Sequence, residues 1–283
     1  MGIVQNAALR KMQGGEVALG FGVHHLRTAA VPALARATGH DWIFIDTEHG
    51  AFSVQEATQL CLAALPIGVT PIVRVCAGAI DEGTRALDNG ALGIVVPHVD
   101  TAKQARRVAE AFRYPPDGHR SWGGPPAVYA YQAPHPAEAQ RAINDEIMVV
   151  AMIESPEAVA NAADIAAVDG IDVLLIGTSD LTAEMGVSGQ LAHPRVIEAY
   201  RKVGDACRNK GKYLGLGGVY DQENATRYIR MGAQFVLSGN DHSYIMAGGA
   251  ARAAFLGEVK PDPVPVREKA EAKSGKRKKL ERA

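Results

Sequence analysis

Short apolar runs alternate along the chain with longer stretches in which apolar residues recur at helical spacing. Runs that are apolar throughout are typical of parallel strands buried on both faces, and the longer stretches are typical of the helices that cover them. Eight such strand–helix units in succession predict an α/β fold, a (β/α)8 TIM barrel. The predicted strands are 17–23, 42–46, 70–75, 92–97, 147–153, 172–176, 213–217 and 234–239, and the helices that follow them are 27–38, 53–64, 79–88, 101–112, 156–167, 194–210, 221–231 and 241–256.

Two acidic residues stand where predicted strands give way to helices. Glu154 directly follows the fifth strand, and Asp180 closes the sequence Gly177-Thr178-Ser179-Asp180 after the sixth. In a barrel the carboxyl ends of neighbouring strands meet at one rim, where active sites lie, so the two carboxylates should lie close together. Two carboxylates that leave several positions open suit a divalent ion such as Mg²⁺, Mn²⁺ or Co²⁺. Taken singly, each would also fit a helix cap.

The same rim carries groups suited to proton transfer and to the stabilisation of negative charge. The second predicted strand ends in Asp46, His49 follows in the next turn, and the third strand carries Arg74. His49, with an unperturbed pKa of roughly 6.5, suits acid–base work near neutrality. Asp88, late in the third helix, could orient the His49 ring, and Asp46 could hold metal-bound water. Arg74 would face an enolate oxygen.

A small 2-oxo acid such as pyruvate would suit these groups as substrate. A divalent ion that binds its carboxylate and keto oxygens polarises the keto group, so that a methyl proton becomes more acidic. The amides at the start of the helix after Gly177, in Thr178, Ser179 and Asp180, would bind the substrate carboxylate, because unpaired N–H groups there attract anions. The sequence therefore predicts metal-assisted enolate chemistry.

Five segments carry a family resemblance when they are taken together, in order and in register with the strand–helix units. They are Asp41–His49, Pro71–Arg74, Tyr114–Arg120, Ile153-Glu154 and Ile176–Leu181. Over roughly residues 5 to 257 the chain resembles the HpcH/HpaI aldolase/citrate lyase group, and within it the metal-dependent class II pyruvate aldolases.

This resemblance implies a set of roles and an activity. Glu154 and Asp180 would be the metal ligands, Arg74 the enolate-stabilising arginine, and His49 with Asp88 an acid–base dyad. The activity would be the reversible cleavage of 4-hydroxy-2-oxo acids to pyruvate and an aldehyde. Substrates of the 4-hydroxy-2-oxoheptanedioate or 2-keto-3-deoxy sugar acid type would place the enzyme in aromatic or sugar acid catabolism.

The resemblance also implies a homo-oligomer, a hexamer built as a trimer of dimers. The dimers would exchange the last predicted helix, 241–256, and a neighbour's loop, 113–124 in this sequence, would reach the active site. Met152, Gly217 and Asn240 depart from the family pattern. These departures predict a roomier and more polar pocket for the aldehyde. His24 and His25, near the end of the first strand, could reach the same cavity, but they are expected to make structural hydrogen bonds instead.

Two other functions stay open from the sequence. A lyase of the citrate or malyl-CoA lyase type would use a similar enolate, but it should have a basic groove for the phosphates of CoA. A barrel that binds metal and 2-oxo acid without turnover would act through its surface or its tail. The presence of both His49 and Arg74 counts against this second alternative.

Charge and cysteine content bear on partners and compartment. The 30 Lys and Arg nearly balance the 31 Asp and Glu, which gives no reason to expect nucleic acid or a membrane surface as a partner. The 3 cysteines are widely spaced and form no Cys-x-x-Cys pair, which favours a reducing, cytoplasmic location. After a predicted catalytic domain of residues 1–257, prolines and then basic residues predict a disordered tail over 258–283.

Overall fold

The computed structural model describes residues 2–262 and places eight parallel strands in a closed barrel, in the order of the sequence. Each strand pairs with its neighbours along the chain, and the first pairs with the last. The predicted (β/α)8 TIM barrel is confirmed, with strand ends that differ from the prediction by at most one residue. The strands are β1 Ala18–Val23, β2 Trp42–Asp46, β3 Thr70–Arg74, β4 Gly93–Val96, β5 Met148–Ile153, β6 Val173–Gly177, β7 Tyr213–Gly217 and β8 Ala233–Asn240.

Twelve α-helices accompany these strands within residues 2–262. Short 3-10 turns at Leu65–Ile67 and Ala127–Tyr129 complete the regular structure. The helices are α1 Ala7–Gln13, α2 Val31–Ala37, α3 Val54–Ala64, α4 Ile80–Asp88, α5 Ala102–Phe112, α6 Pro136–Glu146, α7 Pro156–Ala160, α8 Ala162–Ala166, α9 Thr178–Glu184, α10 Pro194–Lys210, α11 Gln222–Arg230 and α12 Asp241–Glu258.

The helices differ from the predicted ranges in several places. The predicted helix 156–167 is interrupted at Asn161 and forms α7 and α8. α2 begins later than predicted, at Val31. α1, α6 and α9 are not among the predicted ranges, although a helix start after Gly177 was expected. The segment between α5 and β5 contains several prolines, but Pro136 occupies the first turn of α6, where a missing N–H costs no hydrogen bond.

The chain divides into two units, one that ends at Ile245 and one that begins at Met246. The first unit contains the whole barrel, and the described part of the second is the remainder of α12 with residues 259–262. From residue 263 onward the predicted tail lies outside the described residues. The exchange of the last helix and a domain boundary after residue 257 stay predictions. No helix in the described part of the chain is long and apolar enough to cross a membrane.

Large apolar side chains fill the barrel interior and leave its carboxyl end for polar groups. Trp42 stacks on Phe235 with ring centroids 4.0 Å apart. Gly20 makes room for this pair, because a Cβ there would lie 2.3 Å from the Trp42 ring. α1 packs against the same cluster, and the N–H of Ala8 donates to Oγ1 of Thr70, the first residue of β3, at 3.1 Å. α1 therefore covers the amino end of the barrel.

Candidate active site

A cavity of about 240 Å³ opens at the carboxyl ends of the strands, where barrels place their active sites. Asp46 and Asp88 are the two predicted site residues that do not line it. A second cavity of about 290 Å³, between α3 and α4, contains none of the predicted residues. The predicted residues that line the first cavity are His49, Arg74, Glu154, Gly177, Thr178, Ser179 and Asp180.

Asp46 ends β2 and shapes the turn that carries His49. Its Oδ1 accepts hydrogen bonds from the backbone N–H groups of Glu48, at 3.1 Å, and of His49, at 3.2 Å. Gly50 completes the turn, since a Cβ there would lie 2.2 Å from the carbonyl oxygen of Asp46. The local sequence therefore places the exposed His49 side chain at the cavity.

Arg74, the last residue of β3, lies in register with Asp46 on β2. Nε of Arg74 donates to Oδ1 of Asp46 at 2.9 Å, and Nη2 donates to Oδ2 at 2.6 Å. Nη1 lies 3.2 Å from Oε2 of Glu48, and the guanidinium carbon lies 5.2 Å from the centroid of the Phe44 ring. Contacts with three residues therefore hold one orientation of the guanidinium at the cavity.

Both members of this pair are buried and charged. Burial by itself would raise the pKa of Asp46, but the hydrogen bonds and the positive charge of Arg74 outweigh burial and lower it. Burial by itself would lower the pKa of Arg74, and Asp46 outweighs burial in the same way and raises it. Arg74 therefore stays positively charged and Asp46 negatively charged, and the guanidinium is the member of the pair that lines the cavity.

Glu154 directly follows β5, and only 2% of it is exposed. Ser155 caps α7 by accepting the N–H of Ala158 at 3.0 Å, so the chain turns from strand to helix at Glu154. Oε2 of Glu154 accepts the backbone N–H of His98 at 3.0 Å. Gly177 leaves room for the other oxygen, because a Cβ there would lie 2.4 Å from Oε1. The carboxylate is thus buried, and a hydrogen bond holds one of its two oxygens.

The carboxylates of Glu154 and Asp180 form a site of negative charge that fits a divalent cation. Burial raises the pKa of Glu154 to about 6, and the charge of Asp180 acts in the same direction. A cation at Oε1 of Glu154 would relieve both effects. Residues 2–262 contain no cluster of three or more His, Cys, Asp or Glu side chains suited to a metal ion. The chain would therefore supply two ligands and leave the others to water and substrate.

No hydrogen bond or ion pair joins His49 to Asp88 in the described part of the chain. Asp88 instead accepts a hydrogen bond from Nη2 of Arg120 at 2.7 Å. Arg120 is buried and stacks over the Tyr114 ring, with 4.6 Å between the guanidinium carbon and the ring centroid. Its Nε and Nη1 have no hydrogen-bond partner among the described residues. The dyad stays a prediction.

The amides predicted to bind a carboxylate belong to α9. Thr178 begins this helix and donates from Oγ1 to the carbonyl oxygen of Gly217 at 2.7 Å, which ties the helix start to β7. Gly218 keeps the space beside it open, since a Cβ there would lie 3.2 Å from the backbone nitrogen of Ser179. The first amides of α9 therefore border the cavity, and their binding of a carboxylate stays a prediction.

Some of the residues at the cavity were not predicted for the site. His24 directly follows β1 and lines the cavity. Tyr220 and Leu237 also line it. The signal for His24 was the same as for Glu154, a polar residue directly after a predicted strand. Asn240 is not among the lining residues; its Oδ1 accepts the N–H of Ser243 at 3.0 Å in the first turn of α12.

Comparison with known proteins agrees with this geometry. The family model described as HpcH/HpaI aldolase/citrate lyase matches residues 25–247. The 4-hydroxy-4-methyl-2-oxoglutarate aldolase of Hapsidospora irregularis is 34% identical over 92% of this chain and 98% of its own. The 4-hydroxy-2-oxo-heptane-1,7-dioate aldolase of Salmonella heidelberg is 34% identical over 91% of this chain and 97% of its own. The HpcH/HpaI aldolase of Desulfitobacterium hafniense superposes with a TM-score of 0.84 at 29% identity, over 90% of this chain and 98% of that one.

Proposed function

Because the chain belongs to the HpcH/HpaI aldolase/citrate lyase family, we propose that it is a carbon–carbon lyase. It cleaves 4-hydroxy-2-oxo acids to pyruvate and an aldehyde, and joins them in the reverse direction. One observation carries this proposal: the buried Arg74, the buried Glu154 and Asp180 meet in one cavity at the carboxyl end of a barrel. A positive group beside a cation-binding carboxylate pair can stabilise the enolate that forms at C2 and C3 when the C3–C4 bond breaks.

Each of these groups has a task in the cleavage. A divalent ion held by Glu154 and Asp180, whether Mg²⁺, Mn²⁺ or Co²⁺, would polarise the keto group of the substrate. Arg74 stabilises the negative charge that develops on the C2 oxygen as the C3–C4 bond breaks. Asp46 acts through Arg74, because it holds the guanidinium in place before the reaction begins. The amides of Thr178 and Ser179 bind the substrate carboxylate.

His49 transfers the proton at C3. Cleavage leaves a carbanion-like C3 that must be protonated to give the methyl group of pyruvate, and condensation requires the reverse step. His49 lines the cavity, is open to solvent and can exchange protons with water. Asp88 remains its predicted partner.

A pyruvate-release assay tests the proposal. Pyruvate formed from 4-hydroxy-4-methyl-2-oxoglutarate and from 4-hydroxy-2-oxoheptanedioate is followed before EDTA, after EDTA, and after return of each divalent ion. We expect turnover that EDTA abolishes and one or more of the ions restores. Binding of pyruvate without turnover would instead support a non-catalytic barrel, and turnover confined to a CoA thioester would support the alternative lyase.

Matched variants make the assay specific to the proposed metal site. Glu154→Gln removes one ligand charge at nearly constant shape and should abolish the metal-dependent turnover. Glu157→Gln makes the same change at an exposed position on α7 and should leave turnover unchanged. Equal activity of the two variants would contradict the assignment of Glu154.

We also propose the hexamer and the exchange of the last helix. Large apolar side chains on α12 support this, since Met246, Phe255 and Leu256 are each more than half exposed. Sedimentation of the full chain tests it, with the mass of six subunits expected. A chain that ends at Ile245 should sediment as a smaller species; a monomeric full chain would contradict the proposal.

A further inference from the structure

Asp241 holds the backbone of His24 at the rim of the active-site cavity. Oδ2 of Asp241 accepts three consecutive backbone N–H groups, from His24 at 3.2 Å, His25 at 2.8 Å and Leu26 at 2.7 Å. These bonds fix the point at which the chain leaves β1. The backbone of His24 is therefore fixed at the rim of the cavity, which the His24 side chain lines together with Arg74.

One nitrogen of the His24 ring faces a buried carboxylate. Its Nε2 lies 3.2 Å from Oδ2 of Asp46, which is fully buried. A bare nitrogen lone pair at this distance from a carboxylate oxygen would be repelled, so the neutral ring carries its proton on Nε2. Nδ1 is then the basic nitrogen, and it has no hydrogen-bond partner among the described residues.

The surroundings keep this ring neutral near neutral pH. Burial lowers the pKa of His24 below its usual value. Asp46 and Asp241 act in the opposite direction, and the charges of Arg74 and His242 act with burial. A neutral ring with a bare Nδ1 can accept a proton, and Asp46 would stabilise the imidazolium that results.

We propose that His24 is a second catalytic residue, which accepts the proton of the C4 hydroxyl group during cleavage and returns it during condensation. This inference rests on the proposed function. As Nδ1 takes the hydroxyl proton, the O–H electrons form the aldehyde C=O bond and the C3–C4 bond breaks. The electron pair of the broken bond forms the C2=C3 double bond of the enolate, and the π electrons of the C2 carbonyl group move to its oxygen beside Arg74. His49 then delivers a proton to C3, and His24 loses its proton to water. One proton leaves the hydroxyl group and one reaches C3, so the reaction balances.

Two separate proton transfers allow a separate measurement of each. Exchange of the methyl protons of pyruvate in D2O needs only the step at C3, whereas cleavage also needs the step at the C4 hydroxyl. A residue that acts at the hydroxyl should affect cleavage and spare exchange. A residue that merely supports Asp46 and Arg74 should affect both, because both steps place charge on the C2 oxygen.

His24→Gln is the informative substitution. The Gln amide can place an N–H where Nε2 stood and so keep a donor towards Asp46, but it cannot accept a proton. We expect cleavage to fall by about 10²- to 10⁴-fold, the usual range for loss of an acid–base group, with pyruvate exchange within about threefold of wild type. His25→Gln is the matched control, one residue away on an exposed side chain, and should change neither rate.

The outcomes separate this inference from the proposed function. Equal losses of exchange and cleavage in His24→Gln, or no loss in either, would overturn the role of His24. Absence of both reactions in the wild type would overturn the proposed function itself. In His24→Ala, added imidazole should restore cleavage by tenfold or more relative to buffer, and failure of this rescue counts against a proton-transfer role.

A measurement on the unaltered protein covers the case in which the variants do not fold. The ¹⁵N shifts of a histidine-labelled protein report which nitrogen of each ring carries the proton. We expect the Nε2–H form for His24 at neutral pH. An Nδ1–H form would overturn the inference, because the nitrogen assigned as the base would already hold a proton.

Discussion

Arg74 and Asp46 form a bidentate ion pair across two adjacent strands, with Nε 2.9 Å from Oδ1 and Nη2 2.6 Å from Oδ2. Both are the last residues of their strands and face each other in register. The same carboxylate accepts the N–H of His49, and its Oδ2 lies 3.2 Å from the ring of His24. One buried aspartate therefore positions the proposed charge-stabilising group and both proposed proton-transfer groups.

Removal of the Arg74 guanidinium should lower the cleavage rate and leave the metal affinity unchanged. We expect Arg74→Ala to lower the cleavage rate by about 10²- to 10³-fold, as loss of a donor to a developing oxyanion does. Steady-state kinetics at saturating metal measure the loss, and calorimetric titration with Mn²⁺ gives the affinity. A loss of less than tenfold would argue against the role of Arg74.

Loss of the aspartate charge should destabilise the fold in a pH-dependent way. Asp46→Asn leaves Arg74 buried without its main partner, and breaking such a pair costs about 3–5 kcal/mol in the free energy of unfolding. The folded-state pKa of Asp46 is lowered, so its contribution is present above the unfolded pKa and disappears as the pH falls through the lower folded value. The free energies of unfolding of wild type and variant, measured with urea at several pH values, should therefore converge only at acid pH.

The matching control for this experiment is an exposed ion pair. Glu198 pairs with Arg201 on the surface of α10. Glu198→Gln should leave the urea midpoint unchanged, because exposed pairs contribute little. Equal effects of the two substitutions would contradict the structural role assigned to Asp46.

Glycine at position 177 should be required for metal binding. A Cβ there would lie 2.4 Å from Oε1 of Glu154, so Gly177→Ala should push this carboxylate out of place and weaken Mn²⁺ binding by tenfold or more. Gly217→Ala is the control at the same cavity, because its Cβ would meet its nearest neighbour at 3.5 Å, an ordinary contact. Titration of both variants with Mn²⁺ measures the difference, and equal affinities would contradict the assignment.

The charge of Glu154 should oppose folding in the absence of metal. Its folded pKa of about 6 lies above the usual value of 4.5 for a glutamate, so stability is highest when the group is protonated and falls as the pH rises from about 4.5 to about 6. A difference of this size corresponds to roughly 2 kcal/mol. Glu154→Gln in the presence of EDTA should therefore be more stable than wild type at pH 8 and lose this advantage at pH 4, as measured by urea unfolding.

The space at Gly217 should set the range of acceptor aldehydes. Gly217 lines the cavity beside Gly218, and a larger side chain there would fill part of the predicted acceptor pocket. We expect Gly217→Leu to narrow the range of aldehydes that condense with pyruvate, with bulky ones lost first. Pyruvate exchange in D2O should stay near the wild-type rate, and an unchanged aldehyde range would contradict the prediction.

The strands and the acidic residues that follow them were readable from the sequence because they depend on local patterns. A run such as Met148–Ile153 is apolar throughout and can only be buried on both faces, which places Glu154 at the rim. α6 was not predicted, because a proline such as Pro136 usually interrupts a helix, whereas in the first turn it is compatible with one.

The sequence by itself determined the barrel, the rim positions of Glu154, Asp180 and Arg74, and the turn that presents His49, because strand period, strand order and turn chemistry act over a few residues. Only the tertiary structure decided which side chains meet. The register in which β1 pairs with β2 brings His24 to Asp46, and the loop after α5 brings Arg120 to Asp88. Such contacts depend on distances of a few ångströms between segments far apart in the chain, and no local pattern encodes them.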